Sequence, residues 1–277
     1  MNRKAKSPSD KSIEAFRKII WAHYKANGRH DLPWRKTKDP YRILVSEVML
    51  QQTQVSRVLE KYGEFLGAFP TVRTLARAPL SNVLRIWSGL GYNRRAKYLH
   101  DAAKIIVQKH DGKIPRSYHE LLELPGIGAY TASAIRIFAF NESDILIETN
   151  IRTALIHQFF LHTLNVRDSE LLTYAKRAAS GQDPREWNLA LMDYGAHLKR
   201  RGVRNNHRSA HYKRQGKFEG SRRQARGAVL RQLCAGKGSQ LPMIEIVSQS
   251  LGKALKGLVR DGLIVERGGK WAIAELN

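Results

Sequence analysis

Apolar residues recur at helical spacing through most of the first two hundred positions, punctuated by Pro, Gly and Asp-Pro marks. From about residue 12 to residue 200 this pattern predicts helices and little strand. At Asp39-Pro40 the Asp suits an N-cap and the Pro suits the first helical position. Leu44, Val48, Val55, Leu59, Tyr62 and Leu66 follow at helical intervals and predict one buried stripe. Glu47 then falls near the start of that helix, one position off the stripe. Further along, SYHELLEL (117–124) predicts a helix broken by Pro125-Gly126-Ile127-Gly128, and AYTASAIRIFAF begins another at once. Gly126 and Gly128 allow a tight turn and close backbone approach, and the helix that follows presents free amide groups able to take a phosphate. A hairpin of this kind serves either DNA binding or plain packing.

The pattern changes after His197. Between His197 and Arg231 there are twelve Lys/Arg and one acidic residue, Glu219, with few apolar positions to bury. Such a stretch is a solvated connector or a strap along a nucleic-acid backbone. RRQARGAVLRQL (222–233), MIEIVSQS (243–250) and LGKALKGLVRDG (251–262) then predict three short helices. LIVER and KWAI predict two strands joined at Gly268-Gly269, a two-residue hairpin turn. Three helices and a hairpin suggest a winged helix, whose third helix would put Lys253, Lys256 and Arg260 toward a DNA groove; packing against protein is the other reading. The expected architecture is all-α, two-lobed, with a small C-terminal winged-helix domain. Its divisions are a core at 12–200, a basic linker or strap at 201–221, and the winged helix at 222–277.

Charge sharpens the choice of partner. The 277 residues hold 48 Lys+Arg against 24 Asp+Glu, a formal charge of +24, and the pI is near 10.4. Such a surplus favours a polyanion, because each neutralised phosphate releases condensed counterions. A membrane surface is the competing polyanion, but no apolar run of transmembrane length and no signal-peptide pattern is present. The expectation is a cytoplasmic, nucleoid-associated monomer. Cys234 is the single cysteine, so neither an intrachain disulfide nor a cysteine-ligated iron–sulfur cluster can be built within one chain. His197, His207 and His211 lie among basic residues, a poor setting for a cation, and no metal is expected.

The segments LPWR (32–35), DPYRILVSEVMLQQTQV (39–55), WSGLGYNRRAKYLHDAA (87–103), LPGIGAYTA (124–132) and WNLALMDYG (187–195) stand in an order and spacing that resemble the MutY branch of the endonuclease III superfamily, over about residues 20 to 200. The resemblance implies a helix-hairpin-helix DNA glycosylase, with the target base flipped into a cleft between two lobes. It makes Glu47 the general acid that protonates a departing adenine, a role needing an apolar or hydrogen-bonded setting that keeps a proton on the carboxyl; an exposed helix glutamate is the bland alternative. It places Gln52 and Thr53 at the base opposite the target or its backbone, and Leu90 and Tyr92 as the wedge filling the gap left by flipping. Trp34 and Arg35 become pocket residues.

Departures from the family pattern bear on mechanism and substrate. The family's second carboxylate is an aspartate two residues before an Asn or His; here Glu148 precedes Asn150, one methylene longer. Tyr130 stands where lyase relatives carry a Schiff-base lysine, so the resemblance implies base release without backbone cleavage. The four cluster cysteines are missing, and so is the C-terminal domain that detects 8-oxoguanine. Leu189 occupies the position of a Gln or Glu that hydrogen-bonds adenine, and with Tyr130 it resembles the thymine/uracil mismatch glycosylases. The expectation is therefore a monofunctional glycosylase of duplex DNA that excises adenine opposite guanine or 8-oxoguanine, without a cofactor. Thymine or uracil opposite guanine is the alternative substrate, and a non-catalytic DNA-binding protein on the same scaffold is the alternative class.

Overall fold

The computed structural model describes residues 8–212, 216–236 and 248–275. Its helices are α1 (Asp10–Asn27), α2 (Pro40–Leu50), α3 (Val55–Ala68), α4 (Val72–Arg77), α5 (Leu80–Trp87), α6 (Arg94–Lys109), α7 (Tyr118–Leu122), α8 (Ala129–Phe140), α9 (Thr149–Phe159), α10 (Asp168–Ala179), α11 (Pro184–Arg200), α12 (Arg222–Cys234) and α13 (Ser248–Arg260). Strands β1 (Ile264–Arg267) and β2 (Lys270–Ile273) pair antiparallel, with Arg267 opposite Lys270. Gly268 and Gly269 both have positive φ, as the two-residue turn between the strands requires. Among the described residues no helix is long and apolar enough to cross a membrane.

The chain divides into two compact units, Met1–Pro40 with Ala129–Arg214, and Tyr41–Gly128 with Gln215–Asn277. The C-terminal stretch therefore belongs to the same unit as α2 to α7.

In the first unit, α1 buries Ile13, Phe16, Ile20 and Tyr24. Phe16 meets Phe159 and Trp187 edge-on, at 5.1 and 6.2 Å between ring centroids. Ser9 caps α1 and Asp183 caps α11, each accepting from an amide three residues on. Arg17 donates to the carbonyls of Arg177, Ala178 and Ser180 at the C-terminal end of α10, where a cation offsets the unsatisfied acceptors. Where α11 crosses α9, Gly195 lies directly against the backbone of Asn150.

In the second unit α2 is buried at every position from Tyr41 to Met49 except Arg42. The single long helix expected over 40–66 is two helices. The break falls at Gln51–Gln54, where Gln52 takes φ 55, outside the helical region. The carbonyls of Val48, Met49 and Gln51, which a continuing helix would have used, accept from the Arg95 guanidinium at 2.7, 2.8 and 2.7 Å. The break also rotates the stripe: Val58, Tyr62 and Phe65 are the buried positions of α3, and Leu59 is 42% exposed. Glu47 consequently sits near the end of α2 rather than near a helix start.

The C-terminal stretch is docked by specific contacts. α12 buries Ala225, Ala228, Val229, Leu230 and Leu233. The Glu275 carboxylate accepts from the amides of Leu80 and Ser81 at 2.9 and 3.0 Å, satisfying first-turn donors of α5 from 195 and 194 residues away. Of the three expected helices, the first and third are present as α12 and α13. Residues 243–247 of the middle one lie outside the described residues, and Ser248, Gln249 and Ser250 belong to α13.

Candidate active site

Glu47 is 6% exposed, held on the short buried helix α2 with Ser46 and Val48, themselves 1% and 3% exposed, on either side of it. An ionisable side chain so far from water must be matched by its surroundings, unlike an exposed helix glutamate.

Two loops of the same unit, one directly after α2 and one between α5 and α6, are tied together by one side chain. Arg95, at the start of α6, also donates through Nη2 to Thr53 Oγ1, Leu90 O and Gly91 O at 2.9, 3.3 and 3.0 Å. Burial pushes this guanidinium down to about 10, countered in part by Tyr92. One arginine thus serves as the C-cap of α2 and fixes both the 51–53 loop and the 90–92 loop. Within them Gln52 and Tyr92 have φ 55 and 47. Such backbone conformations cost free energy outside glycine and concentrate at functional positions. Tyr92 is 37% exposed and Leu90 only 3%. Tyr92 is therefore the member of the expected wedge that reaches the surface; Leu90 is a buried strut, because its carbonyl is held by Arg95 and its side chain fills the core beneath the loop. Thr53 likewise spends its hydroxyl on Arg95 and the Leu90 carbonyl.

In the hairpin that leads to α8, Gly126 has φ 76, and an added Cβ would meet Tyr98 Cβ at 2.8 Å, so glycine is required there. At Gly128 an added Cβ meets nothing within 4 Å. Tyr130, the second residue of α8, is half-buried.

The other carboxylate belongs to the first unit. Glu148 is the N-cap of α9, and its Oε1 accepts from the amides of Asn150 and Ile151 at 2.7 and 2.8 Å. Both bonds fall on one oxygen, so Oε2 keeps its capacity to face a ligand. Although the side chain keeps partial solvent exposure, the density around it pushes the carboxyl up from its ordinary value. The amide bonds and the charges of Lys199 and Arg152 pull the other way without winning. Lys199 Nζ in turn holds Asn150 Oδ1 at 2.7 Å.

Asp193, on α11, is a hub that the sequence reading missed. It accepts two bonds from the Arg35 guanidinium, at 2.7 and 2.8 Å, and two from the backbone and side chain of Arg29, at 2.8 and 2.6 Å. Burial raises its carboxyl, but the bonds and charge of Arg35, then of Arg29, outweigh burial and hold it below the ordinary range. Arg185 clamps the same turn through the carbonyls of Arg35 and Thr37. Arg35, expected to line a pocket, thus has a 6% exposed side chain committed to Asp193. Leu189 lies one turn before Asp193 on the same face of α11 and is 6% exposed; Trp34, beside Arg35, is 8% exposed.

Within the basic stretch, residues 205–210 make defined contacts. Val166 bridges to Ser209, and Asn205–Arg208 form a 3-10 turn whose Asn206 accepts from Thr153 at 3.1 Å. Residues 213–215 of this stretch lie outside the described residues. His197 packs against His23, with ring centroids 4.5 Å apart and planes tilted by 44°, and among the described residues no group of His, Cys, Asp or Glu is placed to hold a metal ion.

The family described as HhH-GPD superfamily base excision DNA repair protein matches residues 45–193, a span that includes both carboxylates, Tyr130 and Leu189. An adenine DNA glycosylase of Buchnera aphidicola subsp. Baizongia pistaciae is 41% identical over 179 residues, covering 64% of this chain and 50% of that protein. The chain thus spans about half the length of this curated relative. A thymine/uracil-DNA glycosylase of Methanothermobacter thermautotrophicus is 31% identical over 172 residues, covering 61% of this chain and 77% of that one. The structure of a thermostable thymine-DNA glycosylase superposes with a TM-score of 0.59 at 27% identity, over 68% of this chain and 87% of that one.

Proposed function

Because the chain belongs to the HhH-GPD superfamily of base excision DNA repair proteins, we propose that it is a monofunctional DNA glycosylase that hydrolyses the N-glycosidic bond of a mispaired base in duplex DNA. The observation that carries this is Glu47, a carboxyl 6% exposed on a buried helix inside the matched span. A carboxyl kept from bulk water can deliver its proton to a leaving base as the bond from sugar C1′ to the base nitrogen breaks. The sugar then carries the positive charge of an oxocarbenium ion. Glu148, whose carboxylate is disfavoured by burial in the resting protein, gains a counter-charge when that cation develops. Water adds to C1′, its proton goes to a carboxylate, and the strand is left intact, because Tyr130 has no amine with which to form an imine.

Adenine opposite guanine or 8-oxoguanine is the first substrate, on the higher identity to a relative that is an adenine DNA glycosylase. The second reading, thymine or uracil opposite guanine, is favoured by one observation: Leu189 is a buried apolar side chain and cannot offer adenine a hydrogen bond. The protein acts as a monomer without an iron–sulfur cluster, and its C-terminal winged-helix-like segment takes part in DNA binding. Single-turnover excision from A·G, A·8-oxoG, T·G and U·G duplexes tests the proposal. At least one should be cleaved only after alkali treatment, and borohydride should trap no protein–DNA adduct. Leu189→Gln should raise adenine excision relative to thymine. A trapped adduct would overturn the monofunctional reading.

A further inference from the structure

Within the second unit, a cleft of about 450 Å³ is lined by residues from the 51–52 loop, the 91–95 loop, α12 and α13. We propose that this cleft seats the phosphodiester backbone of duplex DNA beside Tyr92, making the C-terminal segment part of the DNA-reading surface. The choice of DNA as occupant rests on the glycosylase reading; the arginines of α12 and α13 that line the cleft have no part in that reading.

Six of the lining residues are arginines, and Asp261 is the one acid among them. Asp261 is occupied by Arg226 at 2.6 Å and Arg94 at 3.6 Å, and Arg95 is spent on the loop carbonyls and Thr53. Positive charge on Arg222, Arg223 and Arg260 is left without a counter-charge among the described lining residues. Guanidinium groups crowded in this way repel one another until an anion enters, and their forked donors match phosphate oxygens.

The walls fit a close-approaching backbone. Gly227 and Gly257 both line the cleft from the interiors of α12 and α13, where glycine costs about 1 kcal/mol relative to alanine. An added Cβ at Gly257 would meet Arg226 Nη1 at 2.7 Å, so a side chain there would push an arginine out of place. Docking by Glu275 and the buried face of α12 fixes these helices in advance. On the rim, Arg223 Nη1 donates to Tyr92 Oη at 3.0 Å, so one arginine both lines the cleft and positions the exposed wedge residue. Gln52 and Tyr92, the two lining residues with left-handed backbone outside glycine, both face this cleft.

The test is the salt dependence of binding by the full chain to a matched duplex and to A·G and T·G duplexes, for wild type, Arg222→Gln and the triple variant Arg222→Gln, Arg223→Gln, Arg260→Gln. The triple variant should bind all three duplexes more weakly by a similar factor, and the slope of log affinity against log salt should flatten by about one per lost contact. Arg222 is exposed and makes no described contact that folding needs, so its single variant keeps the test open if the triple variant melts early. Unchanged affinity and slope would overturn the proposal. So would a loss confined to mismatched duplexes, because the cleft would then read a base rather than a phosphate. Matched-duplex binding requires no excision, so a protein that binds through these arginines but cleaves nothing sinks the glycosylase reading and leaves the cleft standing.

Discussion

Replacing Gly195 by alanine asks how closely the second carboxylate must be held. A Cβ at this position would lie 2.0 Å from Asn150 O and 2.5 Å from its carbonyl carbon. Both atoms are backbone, so no side-chain rotation relieves the clash. Ordinary contact begins at 3.4 Å, so α9 and α11 must part by more than an ångström. Glu148 is bonded to the amides of Asn150 and Ile151 and must travel with α9. Overpacking of this kind costs about 1–3 kcal/mol, several degrees in melting temperature for a chain of this size. A catalytic group misplaced by about 1 Å can lose roughly 100-fold in rate. Thermal melts and single-turnover excision should therefore show a modest loss of stability beside a loss of rate approaching that of Glu148→Gln. A Gly195→Ala protein that melts and excises like wild type would refute the role given to Glu148 and to the helix contact behind it.

Three other substitutions separate architecture from chemistry. Asp193→Asn leaves Arg29 and Arg35 without their shared buried partner and should cost about 3–5 kcal/mol at neutral pH by denaturant unfolding. Because the folded carboxyl titrates below its ordinary value, that contribution is present above the unfolded pKa of about 3.9 and fades only as pH falls through the lower folded value; a gap that closes by pH 5 would contradict it. Arg95→Met removes six hydrogen bonds, two from the end of α2 and four from the two loops; it should lower the melting temperature and weaken DNA binding without changing the salt slope, whereas a flattened slope would make Arg95 a phosphate contact. Glu275→Gln weakens the cap on α5 and should cost about 1 kcal/mol. Its carboxyl is pushed up by burial but held lower overall by the Ser81 and Leu80 bonds, so the wild-type advantage should be present near neutral pH and disappear in acid.

Much of this was legible in the residues. The hairpin at 125–128 and the turn at Gly268-Gly269 were readable because glycine announces backbone that other residues resist. Glu47 was readable through its motif, but its place near the end of α2 was not, because a period of 3.6 continues unchanged across a break whose free carbonyls are satisfied by a distant Arg95. Leu90 and Tyr92 stand two apart in one motif, and nothing local says which of them reaches the surface; the Arg95 bonds to the 90–91 carbonyls decide it. Asp193 was passed over inside WNLALMDYG because its partners, Arg29 and Arg35, lie more than 150 residues away. The C-terminal segment read as a separate domain by composition. Its attachment depends on Glu275 meeting the start of α5, a pairing that periodicity does not encode.

The most direct test of the glycosylase account is single-turnover excision by wild type and Glu47→Gln, at matched affinity and melting temperature, across the four mismatched duplexes. The account predicts that wild type releases a base from at least one duplex and that Glu47→Gln slows release by about 100-fold or more. A folded wild-type protein that binds all four duplexes and cleaves none, with Glu47→Gln behaving identically, would contradict it.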